Sequence, residues 1–135
     1  MNTPDQFSLD EMLKDLGILV SMESPSRDIA RVTAHAEALS AMMQRMLGSA
    51  PTLIDSPVGP HVHWRGSGEP KVLILGHHDT VHPVGTLSDI PFSVDSGIAR
   101  GPGVFDMKAG IVQALHAVAS LEDSSHIEIL LTADE

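Results

Sequence analysis

Behind a Ser8…Glu11 capping pair, the apolar residues Met12, Leu16, Leu19 and Val20 recur at helical spacing. They predict a helix over residues 8–22, ended by the Ser24-Pro25-Ser26 break. Ile29, Val32, Ala36, Leu39, Met43 and Met46 mark the inner face of a second helix over residues 27–47, with Gly48 in the closing position. The Met42-Met43-Met46 cluster reads as core filling rather than a recognition surface. Beyond Pro51 the texture turns to strands. Thr52-Leu53-Ile54 is a short one, and residues 61–65 alternate like a half-buried or edge strand. His61 and His63 share one face of it, a spacing that serves a metal pair or simply a solvated edge. After a turn at residues 66–70, the unbroken apolar run 71–76 predicts a strand buried on both faces of a parallel sheet. A loop rich in Pro and Gly follows to about Gly103, then a helix over residues 107–121 with Ile111, Leu115 and Val118 inward. Residues 126–132 form a last apolar strand, ending in Ala133-Asp134-Glu135.

Strand, loop, helix, strand with buried-type strands means an α/β fold, a layered sheet flanked by helices. In such sheets ligands bind beyond the carboxyl ends of the strands, which here are His77-His78-Asp79-Thr80 and Asp134-Glu135. Composition narrows the chemistry. The 135 residues suit one domain. With 8 Lys and Arg against 18 Asp and Glu, the formal charge of −10 argues against nucleic acid and anionic membranes as partners. Aromatic residues at 3% provide no stacking platform for bases or sugars. The absence of Cys removes disulfides, thiolate metal sites and cysteine nucleophiles, so any metal would be held by imidazole and carboxylate. No 20-residue apolar span occurs, and MNTPDQFSLDEM lacks the basic start and apolar run of a signal peptide, so a cytoplasmic protein is expected.

His77 and Asp79 lie two apart at a strand end, where an Asp can accept the second ring N–H of a ligating His and fix its tautomer. Asp106, taken to open a helix after Gly101-Pro102-Gly103, could place a carboxylate on one or two cations. Glu135, at the last strand's end, is the candidate general base. Each also has a plain structural reading: Asp106 as a helix N-cap, Glu135 as a solvated residue, His77 as a hydrogen-bonded strand end.

The strings VLILGHHDTVHP, ARGPGVFDMKAG and TADE, in this order and separation, resemble the dinuclear-zinc aminoacylase/carboxypeptidase family. That family includes acetylornithine deacetylase, succinyl-diaminopimelate desuccinylase and glutamate carboxypeptidase, and Pro91-Phe92 with Gly101-Pro102-Gly103 looks most like the glutamate-carboxypeptidase branch. The resemblance implies a zinc-peptidase-like catalytic domain, truncated, with the chain covering its N-terminal portion. His77 would ligate one of two Zn2+ ions, with Co2+ or Mn2+ as alternatives, and Asp106 would bridge both. Asp79 would orient His77, and Glu135 would take a proton from the attacking water and pass it to the leaving amine. It also implies a cis peptide bond at Asp106–Met107, and no role for His78, His82 or Lys108 as ligands. The expected reaction is hydrolysis of an amide bond in an N-acyl amino acid or short peptide. Further ligands and a lid domain with a dimer surface would lie outside these 135 residues, so the isolated chain is expected to bind zinc weakly and not to turn over. The competing reading is a non-catalytic α/β regulatory or binding domain, receiver-like in size, against which stands the lack of an acidic pair after an early strand.

Overall fold

A computed structural model of the chain describes residues 7–135, so the first six residues of the N-terminal stretch considered above lie outside the described residues. Helix α1 (Leu9–Val20) starts where expected: Ser8 Oγ accepts the Glu11 N–H at 3.2 Å. It buries Leu16, Leu19, Val20 and, less predictably, Asp15. Helix α2 (Ile29–Leu47) is capped by Asp28, whose side chain accepts the Arg31 N–H, and closes at Gly48 with φ +84°. Val32, Ala36, Leu39 and Met43 are buried as read. Ile29 is 51% exposed instead, because it stands in the first turn before the helix meets its neighbours.

Strands β1 (Thr52–Ile54), β2 (His61–Arg65), β3 (Val72–His77) and β6 (Ile127–Thr132) make one mixed sheet in the order β1-β2-β6-β3. β3 and β6 run parallel, with Val72 opposite Ile127 and His77 opposite Thr132, and β2 pairs antiparallel with both β1 and β6. The link from β3 to β6 carries helix α4 (Ala109–Ala119), the crossover that a parallel pair requires. Helices α1, α2 and α4 share one core cluster with Val62, Trp64, Ile129 and Leu131, alternate residues of β2 and β6 that point the same way. Trp64 is anchored by donating Nε1–H to Ser49 Oγ at 3.0 Å. At about 25 cal/mol per Å2, each Leu or Ile buried in that seam contributes roughly 2 kcal/mol.

Two expectations need correcting. β3 is an edge strand: Leu73 and Leu75, 55% and 63% exposed, stand on the face opposite the helical layer, and Val72, on the helix side, is 49% exposed at the strand's first position. β2 is half-buried, one of the two readings its pattern left open, and interior to the sheet, since β1 lies outside it. The stretch before Gly103, read as loop, contains a short helix α3 (Thr86–Asp89) and a hairpin of β4 (Ser93–Asp95) and β5 (Ile98–Arg100) joined through Ser96 and Gly97, both at positive φ. Three-residue strands are too short for the period-two pattern to register.

Candidate metal centre

The chain leaves β3 at His77 and β6 at Thr132, and because the strands are parallel and in register, both ends open on the same side. A wide turn, Val104–Lys108, brings Asp106 to that place. Asp106 does not open or cap α4, as had been read; that helix starts at Ala109, and Asp106 has extended dihedrals (φ −131°, ψ 92°) just before it. The Asp106–Met107 peptide bond is cis, as the resemblance implied. The turn is pinned from three sides. Lys108 N–H bonds Gly103 O at 2.9 Å, and Gly103 must be glycine because φ is +81° and a Cβ would stand 2.6 Å from Thr80 Cγ2. The Met107 sulfur accepts the His77 N–H at 3.3 Å and lies over Gly76. The buried Lys108 ammonium donates to Leu19 O and Met22 O, both at 2.9 Å, where the C-terminal end of α1 presents its free carbonyls. Burial pushes the Lys108 pKa down to about 8, against the pull of Glu23.

His77 Nδ1 donates to the Asp79 carbonyl at 3.0 Å and its carboxylate Oδ1 at 3.2 Å, which turns Nε2 outward. Nε2 is 2.9 Å from Asp106 Oδ1 and 3.7 Å from Glu135 Oε2. Burial works to lower the His77 pKa, but the hydrogen bonds to Asp106 and Asp79 and the charges of Asp79 and Glu135 outweigh it and raise it. Asp79 is 1% exposed, whereas the side chains of Asp106 and Glu135 are more than half exposed. One carboxylate is therefore buried to hold the imidazole, and two face outward beside the ring nitrogen. One donor atom from each of His77, Asp106 and Glu135 lies within 4.8 Å of the other two, the sole such group of potential ligands found among the described residues. An imidazole nitrogen with two carboxylate oxygens suits zinc, cobalt or manganese, so these residues fit a divalent cation.

The His61–His63 pair offers no such site. The Ala133 N–H donates to His61 Nδ1 at 2.9 Å, and His63 Nε2 bonds Glu128 Oε1 at 2.6 Å on the sheet surface. His78, given no role from sequence, is fully buried. Its Nε2–H donates to Pro60 O at 2.9 Å, which leaves Nδ1 to accept from His35 Nδ1–H at 3.3 Å across two stacked rings. His35 Nε2 is buried with no hydrogen-bond partner. Burial first, then the nearby charges of Lys108 and His78, push the His35 pKa well below 6.5; a backbone contact to Leu19 pulls the other way. Sequence reading gave no hint of this pair, because the two residues meet across 43 positions.

Comparisons with known proteins point one way. Residues 73–135 match the family described as Peptidase family M20/M25/M40. The chain is 31% identical over 134 residues to carboxypeptidase G2 of Pseudomonas sp. (strain RS-16), covering 92% of this chain and 32% of that protein. It is 41% identical over 73 residues to succinyl-diaminopimelate desuccinylase of Anaplasma marginale (strain Florida), covering 52% of this chain and 19% of the relative. Among solved structures, the M20 family metallo-carboxypeptidase Sso-CP2 from Sulfolobus solfataricus superposes with a TM-score of 0.73 at 21% identity, over 91% of this chain and 30% of that one. The di-peptidase Dug1p from Saccharomyces cerevisiae gives a TM-score of 0.63 at 15% identity, over 90% and 31%. The chain thus spans about a third, or less, of the length of these proteins. No helix among the described residues is long and apolar enough to cross a membrane.

Proposed function

Because the chain belongs to peptidase family M20/M25/M40, we propose that His77, Asp106 and Glu135 form part of a divalent-metal centre that hydrolyses an amide bond in an N-acyl amino acid or short peptide. The observation that carries this reading is the convergence of the three donors beyond the ends of two parallel strands, with Asp79 buried behind the ring. His77 and Asp106 would hold the ions, with Zn2+ preferred and two per complete site, and Asp106 would serve both. When bound, such ions lower the pKa of a water and polarise the scissile carbonyl. Asp79 keeps the His77 Nδ1 protonated and its Nε2 lone pair turned outward. Glu135, more than half exposed and 3.7 Å from His77 Nε2, accepts a proton from the attacking water on its carboxylate and returns it to the leaving nitrogen. The length of the relatives supports drawing the remaining ligands, the substrate pocket and a dimer-forming lid from further chain.

Two substitutions separate these roles in the protein as its source expresses it. Asp106→Ala should lower bound zinc, measured by mass spectrometry of the metal, to background. Glu135→Gln should keep zinc nearly unchanged while release of an amino acid from an acylated or peptide substrate stops. Retained turnover in Glu135→Gln would take the base role from Glu135, and retained zinc in Asp106→Ala would remove that ligand.

A further inference from the structure

The Ser24-Pro25-Ser26 segment does more than end a helix. Its backbone pairs with the loop after β3: Ser26 N–H donates to Thr80 O and Thr80 N–H to Ser24 O, both at 2.8 Å. Ser24 Oγ adds a bond to His78 O at 2.8 Å, and Arg27, at φ 70°, reaches Asp134 beyond β6 with Nη2 3.6 Å from Oδ2. The turn therefore touches both strand ends that carry the centre. At its middle the Ser26 hydroxyl donates to Asp79 Oδ2 and also lies 3.1 Å from Thr80 O.

Asp79 is nearly inaccessible, so its two oxygens find partners within the protein or not at all. Oδ1 receives the His77 Nδ1–H. Oδ2 receives the Ser26 hydroxyl and, at 3.3 Å, the backbone N–H of Glu135. The Ser26 hydroxyl is the only side-chain donor of the two at Oδ2, and the Glu135 N–H at 3.3 Å is the longer contact, so the hydroxyl does most to stop rotation about the Cβ–Cγ bond and to keep Oδ1 aimed at the imidazole. We propose that Ser26 is a positioning residue of the metal centre: together with the Glu135 N–H its hydroxyl holds Asp79 Oδ2, and through that carboxylate it steadies the plane of the His77 ring. This rests on the metal-centre reading above. It adds a residue 53 positions upstream of Asp79 that no motif there includes.

The turn's own backbone bonds do not involve the Ser26 side chain, so Ser26→Ala should fold with a nearly unchanged melting temperature. Titration of the metal-free protein, as its source expresses it, with Co2+, read by affinity and by the visible ligand-field bands, tests the role. Ser26→Ala should bind cobalt about tenfold more weakly, the lower end of the loss seen when an outer partner of a ligating His is removed. Its bands should shift, because the imidazole is freed to turn. In an Asp79→Ala background the same substitution should change affinity less than about twofold, since the effect passes through that carboxylate. Ser26→Thr, which keeps the hydroxyl, should restore affinity. Unchanged affinity and bands in Ser26→Ala, or losses that add in the double variant, would overturn the proposal while leaving the metal centre standing. A wild-type protein, as its source expresses it, that binds no cobalt, or a His77→Ala variant of it that binds cobalt equally well, would instead overturn the metal-centre reading on which the proposal depends.

Discussion

Consider the metal-free protein taken from about pH 7.5 to about pH 5.5, the window in which a histidine side chain ordinarily gains its charge. Folded, His35 stays neutral, because burial, Lys108 and His78 all oppose a charge there. Unfolded, it takes up a proton near the ordinary histidine value of 6.5. The unfolded state then binds more protons, so stability is full above 6.5 and is lost as pH falls below it toward the depressed folded pKa. One unit below 6.5 the loss from this one residue is a little over 1 kcal/mol, roughly tenfold in the folded-to-unfolded ratio. His78, whose pKa burial also lowers, adds a loss of the same sign. His77 works in reverse: its raised pKa gives stability that is present at low pH and lost as pH rises through the folded value. Lys108 faces His35 as well, but with a pKa of about 8 it stays charged in both states over most of this window. The comparison that isolates His35 is therefore wild type against His35→Leu. Urea titrations at the two pH values, followed by the fluorescence of Trp64, the single and 4% exposed tryptophan, give both stabilities. His35→Leu should lose about 1 kcal/mol less than wild type between them. Parallel losses in the two proteins would refute the claim that His35 is buried neutral.

Two further substitutions test the scaffold. Gly76→Ala places a Cβ 2.9 Å from Met107 Cε and 3.1 Å from its sulfur; it should cost about 1–3 kcal/mol in a urea titration and displace the sulfur from the His77 N–H. Arg45→Met leaves the buried Asp15, now bonded by Arg45 Nη2 at 2.7 Å, with only His116 Nε2 at 2.8 Å as a partner. Because the Arg45 side chain is 60% exposed, the cost should be about 1–2 kcal/mol by calorimetry, below that of breaking a fully buried pair.

What the sequence disclosed follows from range. The helices announced themselves through local signals, the Ser8 cap and the Gly48 stop, and their inner faces were right except at the first turn, where Ile29 is exposed. The order of strands was not legible, because pairing β6 between β2 and β3 depends on contacts across more than 50 residues. The apolar run of β3 was read as burial on both faces, yet composition reports only that a face can be covered, and here helices cover one. Of the centre, His77, Asp79, Asp106 and Glu135 were named from motifs, and the structure brings them together. Ser26 and the Met107 sulfur were missed, since a serine in a helix break and a methionine before a helix carry no mark of the partner they will meet.

The place of β6 bears on how the molecule comes into being at the ribosome. β2 and β3 are consecutive in the chain but never touch as a pair; each bonds only to β6 on its inner flank. During synthesis the nascent chain can therefore form α1, α2 and the β1–β2 hairpin early, while β3 must wait, its edges unpaired, for some 50 more residues to emerge. Over that interval the run Val72–Leu75 is open to capture by a neighbouring chain, and the arrival of residues 127–135 closes that vulnerability on one edge and brings Glu135 to His77 in the same step.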